Sequence, residues 1–183
     1  MRKYKVCVYA ICKNEEKFVD RWYESMKEAD SIYVLDTGST DGTVAKLREH
    51  GVNVFSQEIK PWRFEVARNI SLDMVPKDTD ICVCTDLDEV LNKGWRDELE
   101  SIWNKDTTRC RYIYNWKLDD KDRPIISFYY EKIHARDGYK WIYPVHEILS
   151  TERQEKYVLT NRIVLNHYPD ATKSRGSYLG VLE

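Results

Sequence analysis

Glycine and proline are scarce, 7 and 5 in 183 residues, and neither a low-complexity linker nor an internal repeat divides the chain. One domain spanning 1–183 is therefore expected, with 42% hydrophobic residues available for its core. Charge of one sign is also missing: 29 Lys and Arg face 31 Asp and Glu, a net of -2, so there is no electrostatic case for nucleic acid or an anionic membrane as the main partner. No stretch approaches the ~20 apolar residues that cross a bilayer, and Met1-Arg2-Lys3-Tyr4-Lys5 leads into a strand-like run, not a cleavable signal. The five cysteines are odd in number and scattered, which predicts buried, reduced thiols and a cytoplasmic protein. Cys82-x-Cys84 has no matching second pair, which argues against zinc. Ile11-Cys12-Lys13-Asn14-Glu15 contains no glycine, unlike the phosphate loop of a sugar nucleotidyltransferase. A glycoside hydrolase would need two carboxylates flanking a bond and no nucleotide.

What is present alternates. Val6–Ile11 reads as a strand, and 15–28 as a helix with Phe18, Val19, Trp22, Tyr23 and Met26 on one stripe. A strand at Ser31–Leu35 is followed by the turn-rich 36–42, a helix over Thr43–His50 and Gly51 as its terminator. A short strand at 52–55, a helix over 64–75 stopped by Pro76, and a strand at 81–85 follow. Strand–helix alternation predicts an α/β three-layer sandwich on a mostly parallel sheet. After a helix over Trp95–Trp103 the texture becomes antiparallel, with strands at 111–116 and 125–130 around a polar turn and another pair at 158–159 and 162–167. The sandwich thus divides into a nucleotide half, 1–95, and an acceptor half, 96–170, with 171–183 reading as the start of a C-terminal helix that suits a longer parent chain. The 13 Tyr and 6 Trp suit sugar or peptide contacts as well as packing.

The run Ile81-Cys82-Val83-Cys84-Thr85 delivers Asp86-Leu87-Asp88-Glu89 to its own carboxyl end, where open α/β sheets bind ligands. If the backbone stays extended, Asp86 and Asp88 leave one face and address one cation while Leu87 turns inward, which makes a platform for metal and phosphate.

Four segments occur in order: Ile11-Cys12-Lys13-Asn14-Glu15-Glu16, Val34-Leu35-Asp36-Thr37-Gly38-Ser39-Thr40-Asp41-Gly42-Thr43, Phe64-Glu65-Val66-Ala67-Arg68-Asn69 and Thr85-Asp86-Leu87-Asp88-Glu89. With Val145-His146-Glu147 and His167-Tyr168-Pro169 later in the chain, the sequence resembles the family 2 glycosyltransferases of GT-A fold, in a bacterial branch acting on saccharide or peptide acceptors. The resemblance implies metal-dependent, inverting transfer from a nucleoside diphosphate sugar, most simply a UDP-sugar. Mn²⁺ or Mg²⁺ would neutralise the departing diphosphate. The alternative is a non-catalytic module that binds a nucleotide sugar or a peptide through an inherited site. The sugar, the acceptor and the oligomeric state are not fixed by these motifs.

It also implies roles. Asp88 is the firmest metal ligand, Asp86 binds the ribose or reaches the metal through water, and His167 completes the metal site, moving preference toward Mn²⁺. The backbone at Ala10 and Ile11 lies beside the base, Asp36 bonds the nucleoside, and Arg68 contacts base or diphosphate. Asn14 and Glu15 border the nucleotide while also suiting a helix cap. Thr37 stands where many relatives carry a second acid, so uracil contacts made by that acid do not transfer. Glu147 is the expected general base, with His146 to orient it and Asp119, Asp120 and Asp137 as other candidates.

Overall fold

The computed structural model describes residues 2–170, so the expected helix at 171–183 lies outside the described residues. Strand β1 (Val6–Cys12) is buried along its whole length, because helices and a hairpin cover both of its faces. Its side chains alternate accordingly. Val6, Val8 and Ala10 face a core shared with α1 (Val19–Met26), α2 (Thr43–Glu49) and α4 (Trp95–Ile102). Cys7 and Tyr9 face the opposite layer, formed by α3 (Phe64–Asp73) and the hairpin of β8 (Tyr139–Ile142) and β9 (Ile148–Thr151).

One eight-stranded sheet runs through both expected halves, in the order β3-β2-β1-β4-β7-β6-β10-β5. Its remaining strands are β2 (Ser31–Asp36), β3 (Asn53–Ser56), β4 (Ile81–Cys84), β5 (Glu89–Leu91), β6 (Arg109–Leu118), β7 (Pro124–Ala135) and β10 (Tyr157–His167). Four of the seven pairings are parallel, and the antiparallel ones begin where β7 joins β4, so the expected fold class holds. Two strands expected at 158–159 and 162–167 are one strand whose register shifts between Leu159 and Val164. The helix expected from 15 begins as a 3-10 turn at Glu16–Phe18, and neither Asn14 nor Glu15 caps it with a side chain. Strands β5, β8 and β9 had no distinct sequence signal, being only three or four residues long.

The helix layer reaches the sheet's ligand edge through Trp22. Valine, tryptophan and methionine at 19, 22 and 26 bury one stripe of α1. The Trp22 Nε1–H donates to Thr85 Oγ at 3.0 Å, immediately before Asp86. Among the described residues no helix is long and apolar enough to cross a membrane.

Candidate active site

A cleft of about 860 Å³ opens at the carboxyl ends of β1 and β4, between Ile11–Glu15, Thr37, the 58–64 segment, Arg68, the Asp86–Glu89 turn, Tyr114, Trp116 and His167. Two elements shape its floor. Asn14 sits at φ 54°, a left-handed conformation that asparagine tolerates. Its N–H donates to Ser39 Oγ, and its Oδ1 accepts from the Thr40 N–H at 2.8 Å. The loops after β1 and β2 are thereby tied together, and the Glu15 N–H donates to Thr43 Oγ at 2.8 Å to complete the tie.

Asp86 and Asp88 do not follow the extended geometry expected for them. The segment is a turn closed by the Glu89 N–H donating to the Asp86 carbonyl at 3.1 Å, and Glu89 reaches back to accept the Asp86 N–H at 2.9 Å. A turn rotates successive side chains apart, so the two aspartates take different partners while Leu87 enters the core as expected.

Asp86 meets cations. Its Oδ1 is 2.6 Å from Arg68 Nη2 and its Oδ2 3.5 Å from Lys132 Nζ. Burial works to raise this carboxyl, but the Arg68 and Lys132 charges overcome it and hold it well below the ordinary carboxylate range. Burial alone would lower Arg68 and Lys132; Asp86 is the largest influence holding each of them charged. Glu89 beneath the turn goes the other way: burial raises it, and Asp86 adds to the effect against the pull of Lys132.

Asp88 instead meets His167, Oδ2 to Nε2 at 3.3 Å. Strand pairing sets this up, because β5 lies antiparallel to β10 with Glu89 opposite His167, and the Tyr168 N–H donates to the Asp88 carbonyl at 2.8 Å. The imidazole Nδ1 donates to the Trp116 carbonyl at 3.1 Å, leaving Nε2 directed at Asp88. Burial lowers His167, but the Asp88 carboxylate, with the Trp116 carbonyl and Glu89, outweighs it, so its proton affinity is raised.

These positions test the expected metal. Among the described residues no three His, Cys, Asp or Glu side chains converge closely enough to hold an ion by themselves. Asp88 and His167 nevertheless present one oxygen and one nitrogen 3.3 Å apart. Adjacent ligands of an octahedral ion, each ~2.1 Å from it, stand roughly 3 Å from each other. The pair therefore fits an ion whose remaining ligands are phosphate oxygens and water, as Mg²⁺ and Mn²⁺ accept. Asp86, engaged by two cations, is not placed as a third direct ligand.

Of the other expected residues, Ile11, Asn14, Glu15 and Arg68 border the cleft. Ala10 does not: its methyl is fully buried in the helix-side core, so only the backbone that follows it reaches the cleft. Asp36 is buried as well. Its carboxylate accepts the Gly38 and Ser39 N–H groups and lies 3.7 Å from Cys12 Sγ, the turn-capping alternative for an Asp at this place. Glu147 stands behind Arg68, its Oε1 accepting from Nε at 3.1 Å, and does not border the cleft. Asp119 caps the β6–β7 hairpin turn and pairs with Arg123.

Lys132 and Glu89 were not singled out from sequence. A lysine in the apolar-flanked stretch Tyr130-Glu131-Lys132-Ile133 was the available signal, since a buried cation demands a partner. Trp62 and Trp116, also at the cleft, carried none beyond aromatic abundance.

The fold and this edge define an α/β architecture with an acidic, cation-braced turn at the carboxyl ends of its parallel strands. Residues 7–155 match the model of Glycosyl transferase family 2, and the chain belongs to that family. An uncharacterized glycosyltransferase of Rickettsia conorii is 35% identical over 131 residues, 68% of this chain and 45% of that protein. The lipopolysaccharide core biosynthesis glycosyltransferase LpsC of Rhizobium meliloti is 30% identical over 105 residues, 55% of this chain and 37% of that one. The chain thus spans less than half the length of these relatives. Among solved structures, glucosyl-3-phosphoglycerate synthase from Mycobacterium tuberculosis, in complex with Mn²⁺, UDP and phosphoglyceric acid, matches with a TM-score of 0.55 at 19% identity. The match covers 74% of this chain and 57% of that one. The same enzyme with Mn²⁺ and UDP-glucose gives 0.51 at 22% identity, over 61% and 44%.

Proposed function

We propose that this chain is the donor-binding and catalytic part of a metal-dependent, inverting glycosyltransferase that uses a nucleoside diphosphate sugar, with a UDP-sugar as first choice and a saccharide or peptide acceptor. The observation that carries the reading is the paired placement of Asp88 with His167 and Asp86 with Arg68 and Lys132 on one turn at the mouth of one cleft. Support also comes from the neighbour of like fold that holds Mn²⁺ with UDP.

Asp88 and His167 would hold the divalent ion, which would supply Lewis-acid chemistry to the diphosphate. The protein's own contribution is preorganisation. Arg68 and Lys132 hold Asp86 ionised and fixed, so it is ready to accept hydrogen bonds from a ribose. The Asn14 tie keeps the loops after β1 and β2 in place for the nucleoside. Inversion is what the family resemblance implies for a single displacement at the anomeric carbon.

The test is thermal melting with UDP-, GDP-, CMP- and TDP-sugars, with and without Mn²⁺. A ligand at about a hundred times its Kd stabilises by about 2.7 kcal/mol, which for a chain of this size is a rise of roughly 5–10 °C. The rise should require Mn²⁺ and disappear in Asp88→Asn, and transfer should release nucleoside diphosphate. Metal-independent shifts of equal size in both proteins would refute the metal site. Donor-dependent melting with no release of nucleoside diphosphate across several acceptors would favour a non-catalytic binding module.

A further inference from the structure

The cleft is chemically two-ended, and the sheet order explains why. Its bordering cations, Lys13, Lys60 and Arg68, come from the β1–β3 side: Lys13 follows β1, Lys60 follows β3 and Arg68 lies on α3. The Asp86–Glu89 turn follows β4 and stands in the middle of the sheet. Beyond it, β6 and β10 contribute Tyr114, Trp116 and His167, and among the described lining residues that side carries no lysine or arginine. Lys132 on β7 is buried and turned to Asp86.

The cation-free side is aromatic and partly open. Tyr114 stacks on Tyr130 at 4.7 Å and meets Phe128, its partner across the β6–β7 ladder, edge-on at 5.4 Å. Phe128 is 44% exposed and Trp116 is 40% exposed. Trp116 is also fixed relative to the metal pair, because its carbonyl accepts from His167 Nδ1. A partly exposed indole whose backbone is bonded to an expected metal ligand therefore borders the same cleft as the Asp88–His167 pair.

Resting on the glycosyltransferase reading above, we infer that Trp116, with Phe128 further along the same aromatic wall, is the acceptor platform, and that the acceptor is an uncharged pyranose of a saccharide. Aromatic faces carry negative electrostatic potential and pack against the slightly positive C–H faces of a sugar ring. A phosphorylated or carboxylate acceptor of the kind bound by the structural neighbour would need cations on this side. The lysines and arginine that line the cleft lie at the other end, where a diphosphate needs them. A peptide would have to meet its backbone groups with donors and acceptors, and this wall presents rings.

The probes are methyl and p-nitrophenyl glycosides of glucose, galactose, mannose and N-acetylglucosamine, with phosphoglyceric acid as the anionic comparison and a short serine/threonine peptide as the third arm. Binding to the chain loaded with UDP and Mn²⁺ is followed by saturation-transfer NMR, and UDP–Mn²⁺ binding is measured separately by melting. At least one glycoside should bind through its ring C–H protons. Its affinity should fall by about tenfold or more in Trp116→Ala and partly in Phe128→Ala, and should return in Trp116→Phe. Both parent residues are exposed, so the variants should keep the parent melting temperature, and UDP–Mn²⁺ binding should stay within about twofold. The inference is overturned if no glycoside binds, if glycoside binding ignores Trp116→Ala, or if the peptide or phosphoglyceric acid binds in place of glycosides. Loss of UDP binding in Trp116→Ala would also overturn it, since the ring would then serve the nucleotide. A wild-type chain that binds no nucleotide sugar with metal would instead refute the glycosyltransferase reading itself.

Discussion

Acidification should weaken this protein through one histidine buried between its two layers. His134 on β7 has no exposed surface, and its ring closes a hydrogen-bond relay. Nδ1 faces the Ala135 carbonyl at 2.7 Å, and a carbonyl only accepts, so the proton sits on Nδ1. Nε2 is then an acceptor, and it accepts a hydrogen bond from the Tyr9 hydroxyl at 2.9 Å while the Tyr9 oxygen accepts from Trp141 Nε1–H at 3.0 Å. Every polar atom of the relay is satisfied only with the imidazole neutral. Burial, helped by the Arg109 and Arg136 charges, pulls the ring down from its usual 6.5 to about 3. The unfolded chain therefore binds the extra proton first. Stability from this group is complete above pH 6.5 and drains as pH falls toward about 3.

The magnitude follows from about 1.4 kcal/mol per pH unit within that window. Between neutrality and about pH 5 the loss is ~2 kcal/mol, a large part of a typical net stability of about 5–15 kcal/mol. Urea unfolding at about pH 7, 6 and 5, on the parent and on His134→Gln, isolates it from the carboxylates that titrate in both proteins. Glutamine keeps a donor for Ala135 but does not titrate. The variant should start about 1–3 kcal/mol less stable and lose less with acid. Parallel pH slopes in the two proteins would refute the relay, as would a ring NMR signal showing His134 protonated at about pH 5. The consequence reaches the site, because Trp141 carries the Arg68 guanidinium over its ring, 5.6 Å from the centroid.

Two further perturbations separate roles around Arg68. Glu147→Gln keeps an oxygen for Arg68 Nε, so if Glu147 only holds the guanidinium, turnover in a donor-hydrolysis or transfer assay should fall by less than about fivefold. A loss of about 10²–10⁴ would support the expected role of Glu147 as the general base. Arg68→Met removes the partner of both Asp86 and Glu147. Breaking a buried pair costs about 3–5 kcal/mol, but Asp86 keeps Lys132 and partial exposure, so a loss of roughly 2–3 kcal/mol in urea unfolding is expected, with UDP binding weakened by about tenfold. An unchanged unfolding midpoint would show that the pair adds nothing to stability.

The sequence made the layers legible wherever periodicity ran long enough: the fully apolar β1, the α1 stripe and the strand that leads to Asp86 all lie where alternation and helical spacing put them. It failed at the Asp86–Glu89 turn for a physical reason. A period-two argument assumes extension, and here a turn hydrogen bond won, so two residues expected to share a face now serve different partners. Short strands were equally silent, yet three-residue β5 is what puts Asp88 beside His167, 79 positions along the chain. Residue types could nominate both as metal donors, but only sheet order could bring them together.

The same order explains why the expected boundary between a nucleotide half and an acceptor half is not a division of the fold. The chain leaves the first half through the Asp86–Glu89 turn, crosses to the far edge of the sheet as β5, and returns inward through β6 and β7 to pair with β4. The acidic turn therefore sits between a side that carries the lining cations together with Trp62 and Phe64, and a side of late strands that carries Tyr114 and Trp116 without lysine or arginine. On the proposed reading, topology alone brings the charge that would serve a diphosphate and the rings that would serve a sugar to opposite sides of one turn. Exchanging the chemistry of either side by substitution should alter one substrate's affinity and spare the other's.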